Sequence, residues 1–173
     1  HNAENALSAA ACALEAGASL DDVRIGLKQA TPVPGRLFPS TGREGCRLLD
    51  DTYNANPDSF HAAIDVLMSA EGEKVMVAGE MRELGDETES SHREVGEYAA
   101  RHGVPLLLAL GSDCTAMVEA YLEAGGLRAK HYSDREALEK DCVDLANSET
   151  VFLVKGSQGA RMETVVAALS AEG

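Results

Sequence analysis

No GxxxxGK[ST] phosphate loop, no GxGxxG and no GxSxG occurs in this 173-residue chain, so it cannot by itself cradle a nucleoside triphosphate in the usual way. Nor do its four cysteines, Cys12, Cys46, Cys114 and Cys142, form a CxxC pair or a Cys/His cluster at metal-ligand spacing. Zinc is therefore not expected, and scattered reduced thiols fit a cytoplasmic protein better than a disulfide-stapled secreted one. Basic residues are scarce, 15 against 29 acidic ones, for a net charge of −14. With no concealed basic patch, that balance speaks against nucleic acid and anionic membrane as partners, although a few cations and helix N-termini can still build a local anion pocket. The longest apolar run, around Leu106 to Leu110, is far shorter than the ~20 residues a bilayer requires, and no signal peptide is expected. The chain begins at His1 with no initiator Met, so it is expected to be processed or cut from something larger.

What is present begins with helices. HNAENALSAAACALEAG places Leu7, Ala10, Ala11 and Leu14 at helical spacing, with Gly17 to end the element. Ser19 can cap a second helix in SLDDVRIGLKQA, whose first turn carries Asp21 and Asp22 where the macrodipole favours negative charge. TPVPGRLFPSTGREG then brings three prolines and three glycines in fifteen residues and reads as a hinge. Beyond it, CRLLDDTY, KVMVAGEM, PLLLALG, AKHYSD and VFLVKGS read as strands, separated by amphipathic helices. The predicted helix starts are Asn56 before Pro57, Ser91 with Glu94, and Ser133 with Glu136; a last helix lies near Met162 to Leu169. Strand and helix in this alternation predict an α/β fold, a mostly parallel sheet with helices on both faces, preceded by a short helical segment. In such sheets ligands bind beyond the carboxyl ends of the strands. Asp50 and Asp51, Gly79 and Glu80, Gly111 and Ser112, Ser133 and Asp134, and Lys155 to Ser157 are all expected there, facing one crevice.

Two of these ends hold the strongest candidates. DDTYNANPDS concentrates two carboxylates, a tyrosine and two amides before a proline. Asn56 is explained as a helix cap; Asp50, Asp51, Tyr53 and Asn54 are not. Adjacent carboxylates repel, so a cation, a metal or a hydroxyl-rich ligand is expected to compensate them, and sugar hydroxyls or Mg²⁺ would suit. KGS at 155 to 157 offers an ammonium, a hydroxyl and backbone N–H groups to a carboxylate or phosphate, against the plainer reading of a glycine turn with a solvated lysine. Arg36 in the hinge is open to the same two readings. Glu80 to His92 lacks the spacing of an EF-hand and reads as a mobile loop, with His92 structural.

HNAENALSAAA, PVPGR, DDTYNANPDS, GEMRELG with HREVG, and VKGS with RME together resemble the Mur ligases in content and order, over nearly the whole chain. The resemblance implies a Rossmann-like, doubly wound C-terminal ligase domain at 34–173, preceded at 1–33 by the helical tail of a central ATPase domain and the hinge. It implies ATP and Mg²⁺ as cofactors, bound mainly by a central domain not contained in this chain, and an inactive fragment when the chain stands alone. YNANPDS with MRELG points to the branch that joins D-alanyl-D-alanine to UDP-N-acetylmuramoyl-tripeptide through an acyl phosphate, in peptidoglycan precursor synthesis, as a cytoplasmic monomer. Carried over position by position, Asn2 and Asn5 stand at the adenine, Arg36 at the nucleotide phosphates and Asp51 at the ribose. Lys155, Ser157 and Asn56 stand at the carboxylate of the incoming dipeptide. Glu80, where Asp is commoner, and Gln158, where a basic residue is usual, depart from the pattern, and the second leaves the dipeptide pocket open.

A receiver-like phosphoacceptor signalling domain is the alternative, because it too has acidic residues after its first strand and a lysine after its last. It needs an Asp ending the third predicted strand, where this chain has Gly111 and Ser112, with Asp113 one step late.

Overall fold

A computed structural model describes residues 2–31 and 33–170, with side chains from residue 5 onward. It divides into two compact units, residues 1–32 and 33–173. The first consists of α1 (Asn2–Glu15) and α2 (Leu20–Gln29). Gly17, at φ +94°, ends the α1 turn in a conformation that L side chains rarely adopt. Ser19 caps α2 in a reciprocal box: its hydroxyl accepts from Asp22 N–H while the Asp22 carboxylate accepts from Ser19 N–H.

The second unit is built on one six-stranded sheet: β1 (Phe38–Thr41), β2 (Arg47–Asp51), β3 (Glu73–Gly79), β4 (Leu107–Leu110), β5 (Ala129–Tyr132) and β6 (Thr150–Lys155). The order across it is β1-β2-β6-β3-β4-β5; β2 to β5 through β6 run parallel, and β1 pairs antiparallel with β2. The five predicted strands are all present and point one way. The hinge reading of residues 31–45 needs correction, because part of it is an edge strand. Pro39 is compatible with that place, since an edge strand needs hydrogen bonds on one side only.

Side chains alternate between two cores. Met76, Ala78, Leu107, Ala109, Val151 and Leu153 face α3 (Pro57–Ser69), α4 (Thr88–Arg101) and α5 (Cys114–Glu123). Val75, Val77, Leu108, Leu110, Phe152 and Val154 face α6 (Arg135–Leu145) and α7 (Glu163–Leu169). Both faces of β6 are covered, so all six of its residues are buried and the strand reads as an unbroken apolar run up to Lys155.

Asn56 caps α3 as expected, with Ser59 completing the box and Pro57 in the first turn. Two other predicted starts shift. α6 is capped by Asp134, whose carboxylate accepts from Ala137 N–H, one residue beyond Ser133. α4 begins at Thr88, fed by a 3-10 turn at Gly85–Glu87, and Ser91 is buried inside it. The segment from Glu80 to His92 is thus largely structured. His92 is fully buried, its Nε2 accepting from Met81 N–H at 3.0 Å and its Nδ1 donating to the Thr88 carbonyl at 2.7 Å, a structural role for one neutral tautomer.

Candidate functional site

After β3 the chain turns to α4 on one face of the sheet, and after the adjacent β6 to α7 on the other. Strands that part in this way open a crevice at their carboxyl ends. Gly79 and Gly156 meet at its floor: a Cβ on Gly156 would stand 3.1 Å from Gly79 Cα, and one on either glycine would run into Met162.

β2 lies on the other side of β6, in a register that sets Asp51 opposite Lys155. Lys155 Nζ donates to Asp51 Oδ2 at 2.6 Å and to the Asn54 carbonyl at 2.9 Å. Only 1% of Lys155 is exposed. Burial pushes its pKa below the ordinary lysine value, against the opposing pull of the Asp51 carboxylate, and the nearby Arg36 charge lowers it further. The other Asp51 oxygen accepts from Leu37 N–H at 3.0 Å. Asp50 accepts from Gly35 N–H at 3.1 Å, and from the N–H and hydroxyl of Thr52 at 3.2 and 2.7 Å. The two carboxylates are therefore compensated from within, by an ammonium, a hydroxyl and backbone donors. They also clamp the residues on either side of Arg36, whose guanidinium rests over the Tyr53 ring at 4.1 Å. Leu37 holds a left-handed φ of 48° beside it, strain that the two clamps sustain.

Across the crevice, Ser157 N–H donates to the Glu80 carbonyl at 3.0 Å and Ser157 Oγ accepts from Arg82 N–H at 2.9 Å. A polar cleft of about 420 Å³ opens between Tyr53 and Asn54 on the β2 side, Arg82 and Glu83 on the β3 side, and Ser157 to Gly159 after β6. Among the described residues no group of three or more His, Cys, Asp or Glu is arranged to hold a metal ion, and no helix is long and apolar enough to cross a membrane.

Residues 35–158 match the family described as Mur ligase, glutamate ligase domain. The chain belongs to the Mur ligase family. Over its full length it is 43% identical to UDP-N-acetylmuramoyl-tripeptide–D-alanyl-D-alanine ligase of Escherichia coli, of which it covers 38%. MurF from Acinetobacter baumannii superposes with a TM-score of 0.86 at 35% identity, over 98% of this chain and 37% of that one. MurF from Thermotoga maritima in complex with ADP does so with a TM-score of 0.71 at 26% identity, over 84% of this chain and 32% of that one. The chain thus spans less than two fifths of the relatives it matches.

In this Mur ligase domain the expected site residues fall into three groups. Asp51, Lys155 and Arg36 converge on one rim, through an ion pair and a clamped hinge. Ser157 lines the cleft, whereas Lys155 lies beneath it with its ammonium already engaged, and the Asn56 side chain is committed to its cap on an exposed helix end. Asn5 is exposed on α1 in the first unit, and the Asn2 side chain lies outside the described residues. Arg82 and Glu83 were not predicted as part of the site; their sequence signals are a position just past a strand end and their place in the MRELG motif. The signalling alternative finds no support, since β4 ends at Leu110 and presents Gly111 and Ser112 where that reading needs a carboxylate.

Proposed function

We propose that this chain is the acceptor-binding C-terminal part of an ATP-dependent ligase that adds D-alanyl-D-alanine to UDP-N-acetylmuramoyl-tripeptide in peptidoglycan precursor synthesis. In this reading residues 34–173 form the ligase domain and 1–33 the tail of a central ATPase domain and the hinge, acting in the cytoplasm as a monomer. The observation that carries it is the union of the β2 and β6 tips by Asp51 and Lys155 beside a polar cleft, in a chain with this family membership.

Bound ATP would supply the phosphoryl group that activates the tripeptide carboxylate. The rim fits part of such a nucleotide: Asp51 keeps 13% of its side chain exposed for ribose hydroxyls, and Arg36 is held outward for phosphate oxygens. Asn2 and Asn5 are assigned to the adenine. Mg²⁺ finds no ligand cluster among the described residues, so its binding falls outside the roles proposed for this chain. Ser157 takes part in holding the dipeptide; Lys155 serves through Asp51 and Asn54, and Asn56 by starting α3. Catalysis of this kind rests on positioning the amine and on charge stabilisation.

Titrating D-alanyl-D-alanine into the isotopically labelled chain tests the reading. Saturable amide shifts at Tyr53, Asn54, Ser157 and Gly159, with none for L-alanyl-L-alanine at the same concentration, are expected. Shifts spread evenly over the surface, or none at all, would refute it.

A further inference from the structure

The proposed acceptor needs a cation for its free carboxylate, and the lysine expected to supply one is not available. Lys155 is buried, its ammonium divided between Asp51 and the Asn54 carbonyl, so turning it toward a ligand would strand a partly buried carboxylate. Arg36 rests on the Tyr53 ring and is not among the residues that line the cleft. Arg82 is different: it lines the cleft, with 57% of its side chain open to solvent.

Its position is built from several directions. The Arg82 N–H donates to Ser157 Oγ, tying the loop after β3 to the loop after β6. The stem lies on Gly159, where an added Cβ would come within 2.9 Å of Arg82 Cδ and 3.3 Å of one guanidinium nitrogen, so a glycine there lets the side chain cross the cleft floor. The guanidinium donates to Glu80 Oε2 at 3.3 Å, and the other Glu80 oxygen is held by Ser112 Oγ at 3.2 Å and Asp113 N–H at 3.3 Å. Glu83 follows with a left-handed φ of 65°, which turns the chain back behind the arginine. A guanidinium has five N–H donors in a planar fork, and among the described residues Glu80 accepts from one of its nitrogens. An edge of the fork remains for a second, bidentate carboxylate partner. The cleft, at about 420 Å³, is in the range usual for small ligands, roughly 300–1,000 Å³. Asn54 and Tyr53 line the same cleft and bring to it an amide, able to donate to a peptide carbonyl, and an aromatic ring.

We propose that Arg82 is the specificity-determining residue of the acceptor cleft, receiving the free C-terminal carboxylate of the incoming dipeptide, an inference that rests on the acceptor reading above. Arg82 thereby selects a dipeptide with an ionised terminus over one whose terminus is amidated. Ser157 sets the position of the arginine, its Oγ accepting from Arg82 N–H.

The test uses two ligands, D-alanyl-D-alanine and D-alanyl-D-alaninamide, titrated into the labelled chain and its R82L and R82K variants, with core amides such as Val95 and Leu153 as the check that each variant is folded. For R82L the dipeptide is expected to bind about 10- to 100-fold more weakly, the worth of a charge-assisted pair. The amide, already weak on the unsubstituted chain, is expected to be unaffected by R82L, and R82K to recover part of the dipeptide affinity as a point charge without the fork. Undiminished dipeptide binding by R82L, or an equal loss of both ligands, overturns the role of Arg82 while leaving the acceptor reading intact. Failure of the unsubstituted chain to bind either ligand removes the acceptor reading and this inference with it.

Discussion

At the carboxyl ends of the strands, buried Lys155 is paired with partly buried Asp51, Asp50 is held by Gly35 and Thr52, and Arg82 is tied to Ser157 across the crevice. At the amino ends, clefts of about 330 and 480 Å³ flank the same sheet, the larger running along the β5 edge, and leucines there, such as Leu106, Leu127 and Leu145, stand among charged residues such as Glu73, Arg128 and Asp144. The volumes are similar, yet the polar groups of the first end are fixed by partners from three separate strand tips, whereas the Lys130–Asp141–Tyr132 network of the larger leucine-containing cleft joins one strand to one helix. Space alone does not mark a site; groups held in place before any ligand arrives do. Leu127 at that end is 79% exposed and packed against little.

Substitutions can break that contrast, and the largest effect is expected at Lys155. Lys155→Met should cost about 3–5 kcal/mol by urea unfolding, because Asp51 is left buried without its cation. The same substitution should alter the pH profile. A lysine held below its ordinary pKa binds fewer protons folded than unfolded, so its penalty is full below the folded pKa and is relieved as pH rises from there toward the unfolded value of about 10.4. Relative to the Lys155→Met variant, the unsubstituted chain should therefore gain stability as pH rises through that window. Asn56→Ala should cost about 1 kcal/mol, the loss of the α3 cap, with the cleft left in place. Leu127→Ser, at the opposite end, should stay within about 0.5 kcal/mol and leave dipeptide-induced amide shifts unchanged. A cost at Leu127 as large as that at Asn56 would erase the distinction between the two ends.

How legible this was in the sequence depended on how local the cause is. The strands up to Asp51 and Lys155 could be read because strands covered by helices leave apolar runs, and Asn56 because a cap and its proline lie side by side. β1 was hidden, since four edge residues containing Pro39 need no such run. The pairing of Asp51 with Lys155, 104 residues apart, follows from β6 inserting between β2 and β3, an ordering that no local pattern encodes. Arg82 was lost for a related reason: its segment read as a mobile loop even though MRELG carried part of the resemblance, and its bond to Ser157, 75 residues on, exists only once the two tips are adjacent.

The joining of those tips is tested most directly by a double-mutant cycle on Asp51 and Lys155, measured by urea unfolding of Asp51→Asn, Lys155→Met and the pair together. A buried ion pair predicts a coupling of about 1–3 kcal/mol, the double variant being less destabilised than the sum of the singles. Additivity to within about 0.5 kcal/mol would contradict it, and would separate the two strand ends on which the proposed site is built.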